Sequence, residues 1–487
     1  MRDPLICVTV TGRTMDELRR RRDAAEGADM VEVRLDGVEN PDPAAAIEGR
    51  HRPVIVTCRP AWEGGAFDGS EEERRRLLET AVAAGAEFVD VEARSGFASD
   101  LIRARCGRGV VLSFHAFGPT AEDLAERAAA MRSAGAEVVK IAIHAQSLSD
   151  MLPLLDLADR GVTAGTSHVL IAMGTSGVAS RLLAARLDNR WTYAGDGVAP
   201  GQIPASRLLN EFRFRRIRRD AVLYGVVGCP VGHSRSPAMH NAGFAALGLN
   251  AAYVPLETQD AADFVAFARA IGLRGASITA PLKVAMLAHV DEVDRLARRV
   301  GAINTLIVRD GRWIGANTDV AGFLSPLSGR IALRGVRASV LGAGGAARGV
   351  AIALADQGAA VTVCARRVEA AAQIASLAGG SVGSFPPGSG TWDVLVNTIP
   401  ADADLGNPIA GAPMDGEMVF DLVYAPPETQ LLADARAAGC LTIGGMEMLV
   451  AQAERQFELW TGQRPPVGLF RAAAESAAHA SDSVHSR

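Results

Sequence analysis

Met30-Val31-Glu32-Val33-Arg34-Leu35-Asp36 alternates charged with apolar side chains. Successive side chains of a strand point to opposite faces, so Glu32, Arg34 and Asp36 share one face and Val31, Val33 and Leu35 the other. The pattern recurs: Asp90 and Glu92 alternate with Val89 and Val91, Ser113 and His115 with Leu112 and Phe114, and Lys140 with Val139 and Ile141. Reading outward from Met30, strand-like runs are predicted at Ile6–Val10, Met30–Leu35, Val54–Cys58, Phe88–Val91, Val110–Phe114, Val138–Ile143, Val169–Met173 and Trp191–Tyr193, with helical patterns in most gaps. Eight strands alternating with helices in about 200 residues predict an α/β fold that opens with a (β/α)8 barrel. Helices wrap such a barrel, so charges of one parity on several strands must converge inside it.

The remaining composition narrows the function classes. A chain of 487 residues fits two to four domains. No apolar run approaches the roughly 18 residues of a membrane span. A net charge of −5 argues against nucleic acid as the main partner. The start enters a strand directly, without a signal-like region, which predicts a cytoplasmic protein. Six scattered cysteines at neither metal nor redox spacing suit a reducing compartment and imply no metal site. Assembly state is not legible.

Of the 50 basic residues only Lys140 and Lys283 are lysine. Arginine keeps its proton at physiological pH, whereas a desolvated lysine can release it and act as nucleophile or proton donor. The bland reading of one barrel charge such as Asp90 is a buried ion pair. For Lys140, an ammonium in an apolar strand, the expectation is Schiff-base chemistry with a ketone, and His115, one strand earlier, is placed to move protons.

The segments Glu32-Val-Arg34-Leu-Asp36, Cys58-Arg59 followed by Glu63-Gly-Gly65, Ser113-Phe-His115-Ala-Phe117, Val139-Lys140-Ile141, Ser180-Arg181 and Ala199-Pro-Gly-Gln202 together resemble type I 3-dehydroquinate dehydratase over roughly residues 4–210. The resemblance implies that Lys140 forms the imine, that His115 moves protons and that Glu63 orients His115. It also implies Arg181 on the substrate carboxylate, with Glu32, Arg34, Arg59 and Gln202 lining the pocket.

The arginine-rich junction Asn210–Asp220 reads as a solvated helix end, and the stretch after Ala472 as a frayed tail. Further on, Ala338-Ser-Val-Leu341 leads into Gly342-Ala343-Gly344-Gly345-Ala346-Ala347, a strand, a glycine turn and a helix start of the kind that admits a pyrophosphate. A second strand, Ala360–Cys364, is followed by Arg366 and Arg367 where an NAD site would carry an acidic residue, so NADP is the expected cofactor. Strands at Val394–Val396 and Met418–Asp421 complete a Rossmann-type unit, with Asn397, Thr398 and Leu422–Tyr424 at the nicotinamide end. Lys283, after Ser277-Ile-Thr279-Ala-Pro281-Leu282, falls on the first turn of a helix, where a cation is disfavoured by the dipole. Asp319 is its expected carboxylate partner.

Gly228-Cys-Pro-Val-Gly-His233-Ser234-Arg-Ser236-Pro237, Thr279-Ala-Pro-Leu-Lys283, Gly301-Ala-Ile-Asn304-Thr305, Asn317-Thr-Asp319, the glycine turn and Met448-Leu-Val-Ala-Gln452 resemble shikimate dehydrogenase over roughly residues 221–475. That resemblance implies Ser234 and Ser236 on the substrate carboxylate with Tyr424 nearby, and Thr279, Asn304, Asp319 and Gln452 on its hydroxyls. Lys283 and Asp319 would handle the proton, and the cofactor site would extend to Gly445. The expected layout is a barrel at 1–217, a substrate lobe at 221–323 completed by 445–475, an NADP domain at 324–444 and a tail at 476–487. Two alternatives stay open: a second half that prefers quinate, and a non-catalytic sensor of the same intermediates.

Overall fold

The computed structural model describes residues 3–118, 123–159, 166–400 and 406–485, with side chains described as far as residue 477. Its strands β1 (Leu5–Val10), β2 (Met30–Arg34), β3 (Val54–Thr57), β4 (Phe88–Glu92), β5 (Val110–Ala116), β6 (Val138–His144), β7 (Ser167–Met173) and β8 (Trp191–Ala194) form one sheet in the order β7-β6-β5-β4-β3-β2-β1-β8. All seven pairings are parallel. Arg190 N donates to His168 O at 2.9 Å, drawing the entry to β8 onto β7 and nearly closing the barrel. Each predicted strand is present, its ends within two residues of those expected.

The inward faces are layered. Cys7, Met30, Ile55, Val111, Val138, Val169 and Trp191, with Phe88 against them, form an apolar plug. Two residues further along their strands, the same parity supplies Thr9, Glu32, Thr57, Asp90, Ser113 and Lys140, all buried. In β5 and β6 the register sets Ser113 directly beside Lys140. An apolar floor beneath a ring of charged groups puts the chemistry at the C-terminal ends of the strands, where barrel sites form.

The junction departs from expectation. A short helix, Ala205–Asn210, is followed by Arg213 at φ 51° and a 3-10 turn at Phe214–Arg216. Phe212, Phe214 and Ile217 are buried, so this segment is anchored by its apolar residues while Arg215, Arg216, Arg218 and Arg219 face outward. It leads to the parallel pair β9 (Val222–Gly228) and β10 (Ala251–Glu257), with helices Ser236–Ala246 and Ala261–Ala270. This pair packs on the barrel. Asp263 accepts from Leu148 N and Ser149 N at 3.0 and 2.9 Å, and Ser176 Oγ donates to Glu257 O at 2.9 Å. One compact unit runs to Leu273 and takes in the chain from Ala480, while the other is Arg274–His479.

In the second unit β11 (Gly275–Ile278), β13 (Thr305–Arg309) and β14 (Arg312–Ala316) pair antiparallel, and β12 (Glu292–Val293) joins β14 in parallel. Asp310 and Gly311 turn the β13–β14 hairpin with φ of 51° and 76°, as an Asp-Gly pair does. A six-stranded parallel sheet follows: β15 (Arg337–Leu341), β16 (Ala360–Cys364), β17 (Ser381–Val382), β18 (Val394–Asn397), β19 (Met418–Asp421) and β20 (Leu441–Gly444) in the order β17-β16-β15-β18-β19-β20. That is the doubly wound order with its switch point between β15 and β18. The backbone expected to fray continues as the helix Leu469–His485, residues 486–487 lying outside those described. Among the described residues no helix is long and apolar enough to cross a membrane.

Candidate active sites

Lys140 is 6% exposed, but its surroundings are not apolar as the strand pattern suggested. Its Nζ lies 3.0 Å from Asp90 Oδ2, 3.4 Å from Glu32 Oε1 and 4.4 Å from the centre of the Tyr193 ring. The ammonium is thus ion-paired, and it must hand a proton on before its nitrogen can attack a carbon. Glu32 is fixed by Thr9 and Thr57, whose hydroxyls donate to its two oxygens at 3.0 Å. Asp90 also meets Arg59 Nη2 at 2.9 Å and Ser113 Oγ at 2.6 Å. Burial opposes the ionised form of Asp90, yet Arg59 and Lys140 hold its carboxyl below the usual range.

His115 ends β5. Its Nδ1 is 3.0 Å from Glu63 Oε1, and the same oxygen accepts His115 N at 2.9 Å. Burial, with Arg59 and Lys140 adding positive charge, holds the imidazole well below its ordinary pKa, so the ring is neutral at neutral pH. With Nδ1–H donating to Glu63, Nε2 carries the free lone pair of a base. Burial pushes Glu63 up to about 7.

Arg34 pairs with Asp36 through two contacts of 2.7 Å. Gln202 reaches Thr9 Oγ1 at 3.3 Å. Arg181 is the exception among these charges: its Nη1 and Nη2 donate to Ala172 O and Pro200 O at 2.7 and 3.1 Å, and no described carboxylate pairs with it. Burial lowers its pKa to about 10. A buried guanidinium without a counter-ion is a place for an anion.

In the second unit Lys283 Nζ lies 2.6 Å from Asp319 Oδ2. Asn304 Nδ2 donates to Asp319 Oδ1 at 2.7 Å and to Thr318 Oγ1 at 2.9 Å, so the aspartate is gripped from both sides. The helix bearing Lys283, Leu282–Ala285, is a single turn, and its dipole is correspondingly slight; the ion pair is the stronger influence. Thr279 precedes it, part-exposed, and Gln452 is buried with Nε2 on Leu449 O at 2.9 Å. Ser234 and Ser236 belong to the first unit, where Ser236 N donates to Ser234 Oγ at 3.3 Å at the start of the helix Ser236–Ala246.

The dinucleotide turn fits a nucleotide phosphate. Gly342 has φ 103°, and a Cβ there would stand 2.7 Å from Thr398 Oγ1. At Gly344 and Gly345 a Cβ would meet nothing within 4 Å, which leaves open space before the helix Gly345–Asp356, whose first turn has no side-chain cap. Ala343 and Ala346 flank this opening. Arg366 and Arg367 follow β16, and neither guanidinium has a partner among the described residues. Thr398 is tied to Leu341 O at 2.7 Å. Asn397, expected to face the nicotinamide, donates to Asp421 Oδ1 at 2.9 Å. Gly445 lies so close to Leu422 O, 2.2 Å from an added Cβ, that no side chain fits. Tyr424 is part-buried beyond β19.

Family models for type I 3-dehydroquinase, the shikimate dehydrogenase substrate-binding domain and the shikimate 5'-dehydrogenase C-terminal domain match residues 6–219, 226–306 and 445–475. A bifunctional 3-dehydroquinate dehydratase/shikimate dehydrogenase of Arabidopsis thaliana is 33% identical, the alignment covering 96% of this chain and 83% of that protein. The chain belongs to that bifunctional family. A shikimate dehydrogenase (NADP+) of Methanocella arvoryzae is 41% identical over 52% of this chain and 98% of its own. A shikimate dehydrogenase solved in complex with NADP+ matches with a TM-score of 0.50 and 31% identity, over 53% of this chain and 96% of the other.

Within this family member Lys140, Glu32 and Arg59 form one network through Asp90, and His115 pairs with Glu63, while in the second unit Lys283, Asp319 and Asn304 are joined to one another. Several participants escaped the sequence reading. Thr9 and Thr57 share the inward parity and were detectable from it. Tyr193 ends a strand too short to show its parity. Gln456, fully buried, accepts from Ser277 Oγ at 2.7 Å and donates to Asn304 O at 3.1 Å, and it carries no local signal beyond helix spacing from Gln452.

Proposed function

We propose that this bifunctional enzyme dehydrates 3-dehydroquinate to 3-dehydroshikimate in the barrel and reduces that product to shikimate in the second half, with the domain layout expected from the sequence. The observation that carries the reading is the pairing of a buried amine, Lys140, with a neutral His115 whose Nδ1–H points to Glu63. Arg181 takes the substrate carboxylate, and Glu32, Arg34, Arg59 and Gln202 hold hydroxyls. The amine of Lys140 adds to the ketone carbon and water departs, giving the imine. His115 Nε2 takes the adjacent proton, the electron pair moves into the new double bond and toward the imine, and the leaving hydroxyl departs as water with the proton His115 returns. Water then releases the product and restores the amine.

In the second half Ser234, Ser236 and Tyr424 receive the carboxylate, and Thr279, Asn304 and Gln452 receive hydroxyls. Lys283, held by Asp319, gives a proton to the ketone oxygen and is reprotonated from solvent. NADPH, when bound, supplies the hydride; Gly342, Ala343, Gly344, Gly345 and Ala346 would admit its pyrophosphate, Arg366 and Arg367 its 2′-phosphate, and Asn397, Thr398 and Gly445 would border its nicotinamide. No observation favours quinate or a non-catalytic sensor. The six free cysteines support a reducing, cytoplasmic setting.

Supplying 3-dehydroquinate and NADPH to the purified chain should oxidise NADPH with formation of shikimate, and borohydride with substrate should label Lys140. Full dehydratase turnover by Lys140→Ala would refute the imine.

A further inference from the structure

Behind the dehydratase site a line of alternating charges runs out of the barrel. Lys140 Nζ meets Asp90 Oδ2 at 3.0 Å, Asp90 Oδ1 meets Arg59 Nη2 at 2.9 Å, and Arg59 Nη1 meets Glu92 Oε1 at 2.6 Å. Glu92 Oε2 pairs with Arg74 Nη1, and Arg74 Nη2 reaches Glu71 Oε2 at 2.7 Å. The side chains of Arg74 and Glu92 are both 0% exposed, whereas Glu71 is 45% exposed. Arg74 sits in the helix Glu71–Ala83, outside the strands, and no part of the proposed chemistry uses it.

We infer that Arg74 is a positioning residue of the dehydratase, fixing the charge on Glu92 and thereby the Arg59–Asp90 pair that holds the Lys140 amine. The inference rests on the imine reading of Lys140. Two sets of contacts lead to it. Glu92 is buried with two guanidinium partners, Arg59 and Arg74, so removing either leaves a buried carboxylate half-compensated. Arg74 also lies against Trp62, the neighbour of Glu63 in the turn Ala61–Glu63, its guanidinium 5.8 Å from that ring; the Phe97 ring is 4.9 Å away and Nη2 donates to Ser95 Oγ at 2.9 Å. One side chain therefore supports both the turn that bears Glu63 and the pair that bears on Lys140.

The charge count gives a sign. Asp90, Arg59, Glu92 and Arg74 sum to zero. The other titratable or charged groups around Lys140 are Glu32 on β2, Cys7 on β1, His115 on β5 and Tyr193 on β8; around Arg59, Glu92 and Arg74 they are Glu63, Glu71 and Cys58. Burial pushes Glu92 above the usual carboxylate range while Arg59 and Arg74 draw it back; with Arg74 replaced by methionine, Arg59 is left to keep Glu92 ionised, and the line then carries one negative charge in excess. The ammonium of Lys140 is then held more firmly, and imine formation needs a higher pH. Glu92→Gln leaves one positive charge in excess and acts in the opposite sense.

The test is the pH midpoint of borohydride trapping of substrate on Lys140 in the full chain, measured beside kcat and KM. R74M should raise the midpoint by about one pH unit, E92Q should lower it by a similar amount, and R74M with E92Q should return it to the wild-type value, a unit charge at this remove being worth about that much. R74K should restore most of kcat with KM little changed. If R74M does not fold, the sign of the E92Q shift decides alone. Trapping at Lys140 with unmoved midpoints in these variants, even with lowered thermal stability, would show Arg74 to be merely structural. Failure to trap any adduct in the wild-type chain would instead overturn the imine reading and this inference together.

Discussion

Glu63 is the residue on which the pH behaviour of the barrel turns. Burial raises it to about 7, while His115 is held well below its ordinary value, so His115 is already neutral across the neutral range. As pH falls through about 7 Glu63 takes up a proton, loses its negative charge and accepts more weakly from the two N–H groups of His115. Dehydratase kcat/KM should fall over that interval, and E63Q should remove this limb while lowering the plateau; a limb near 7 that survives E63Q would assign it elsewhere. Asp90 has the opposite linkage. Its carboxyl is held below the usual range, so its ion pairs contribute stability above that range, lost as pH falls through the depressed value. Arg181 is legible in the sequence only through the family motif, because nothing local separates it from dozens of other arginines; the structure singles it out by its missing counter-ion. R181A should raise KM for 3-dehydroquinate roughly 10- to 100-fold, the worth of a charge-assisted hydrogen bond pair, with a smaller change in the trapping of Lys140. An unchanged KM would place the carboxylate elsewhere.

At the scale of elements, the barrel was readable because its inner layer breaks the apolar monotony of parallel strands: Glu32, Asp90, Ser113 and Lys140 announce their parity. The sheet of the second unit was readable at β15, β16, β18 and β19, where apolar runs meet a glycine turn or a polar end. The two-residue strands β12 and β17 have no periodicity to detect, and β20 opens with an exposed Leu441. The β13–β14 hairpin was signalled by Asp310-Gly311 but not read. Arg74 lay within Glu71-Glu72-Glu73-Arg74-Arg75-Arg76, a run that looks wholly solvated until the helix is docked. The turn after β16 makes its own prediction. With both guanidinium groups unpartnered, R366A with R367A should raise KM for NADPH at least tenfold and leave that for NADH nearly unchanged, while dehydratase turnover stays as it was. Equal losses with both nucleotides would deny these arginines the 2′-phosphate.

At the scale of the molecule, motif boundaries and packing boundaries differ. The resemblance to two enzymes places a border near residue 220, yet β9, β10 and their helices pack on the barrel through Asp263, Ser176 and Glu257. Such contacts are made by ordinary polar residues and a main-chain carbonyl, which leave no pattern in one sequence. Asp263→Ala should cost about 1–2 kcal/mol in chemical denaturation, since two N–H groups lose their acceptor, with both turnover numbers kept. No loss of stability would make this contact incidental.

The scarcity of side-chain amines has a practical corollary. Among side chains, amine-selective acylating reagents find only Lys140 and Lys283, and both are already clasped by carboxylates. Occupancy of each catalytic chamber could therefore be read by mass spectrometry as protection of one peptide, in the unmodified enzyme and with no engineered tag.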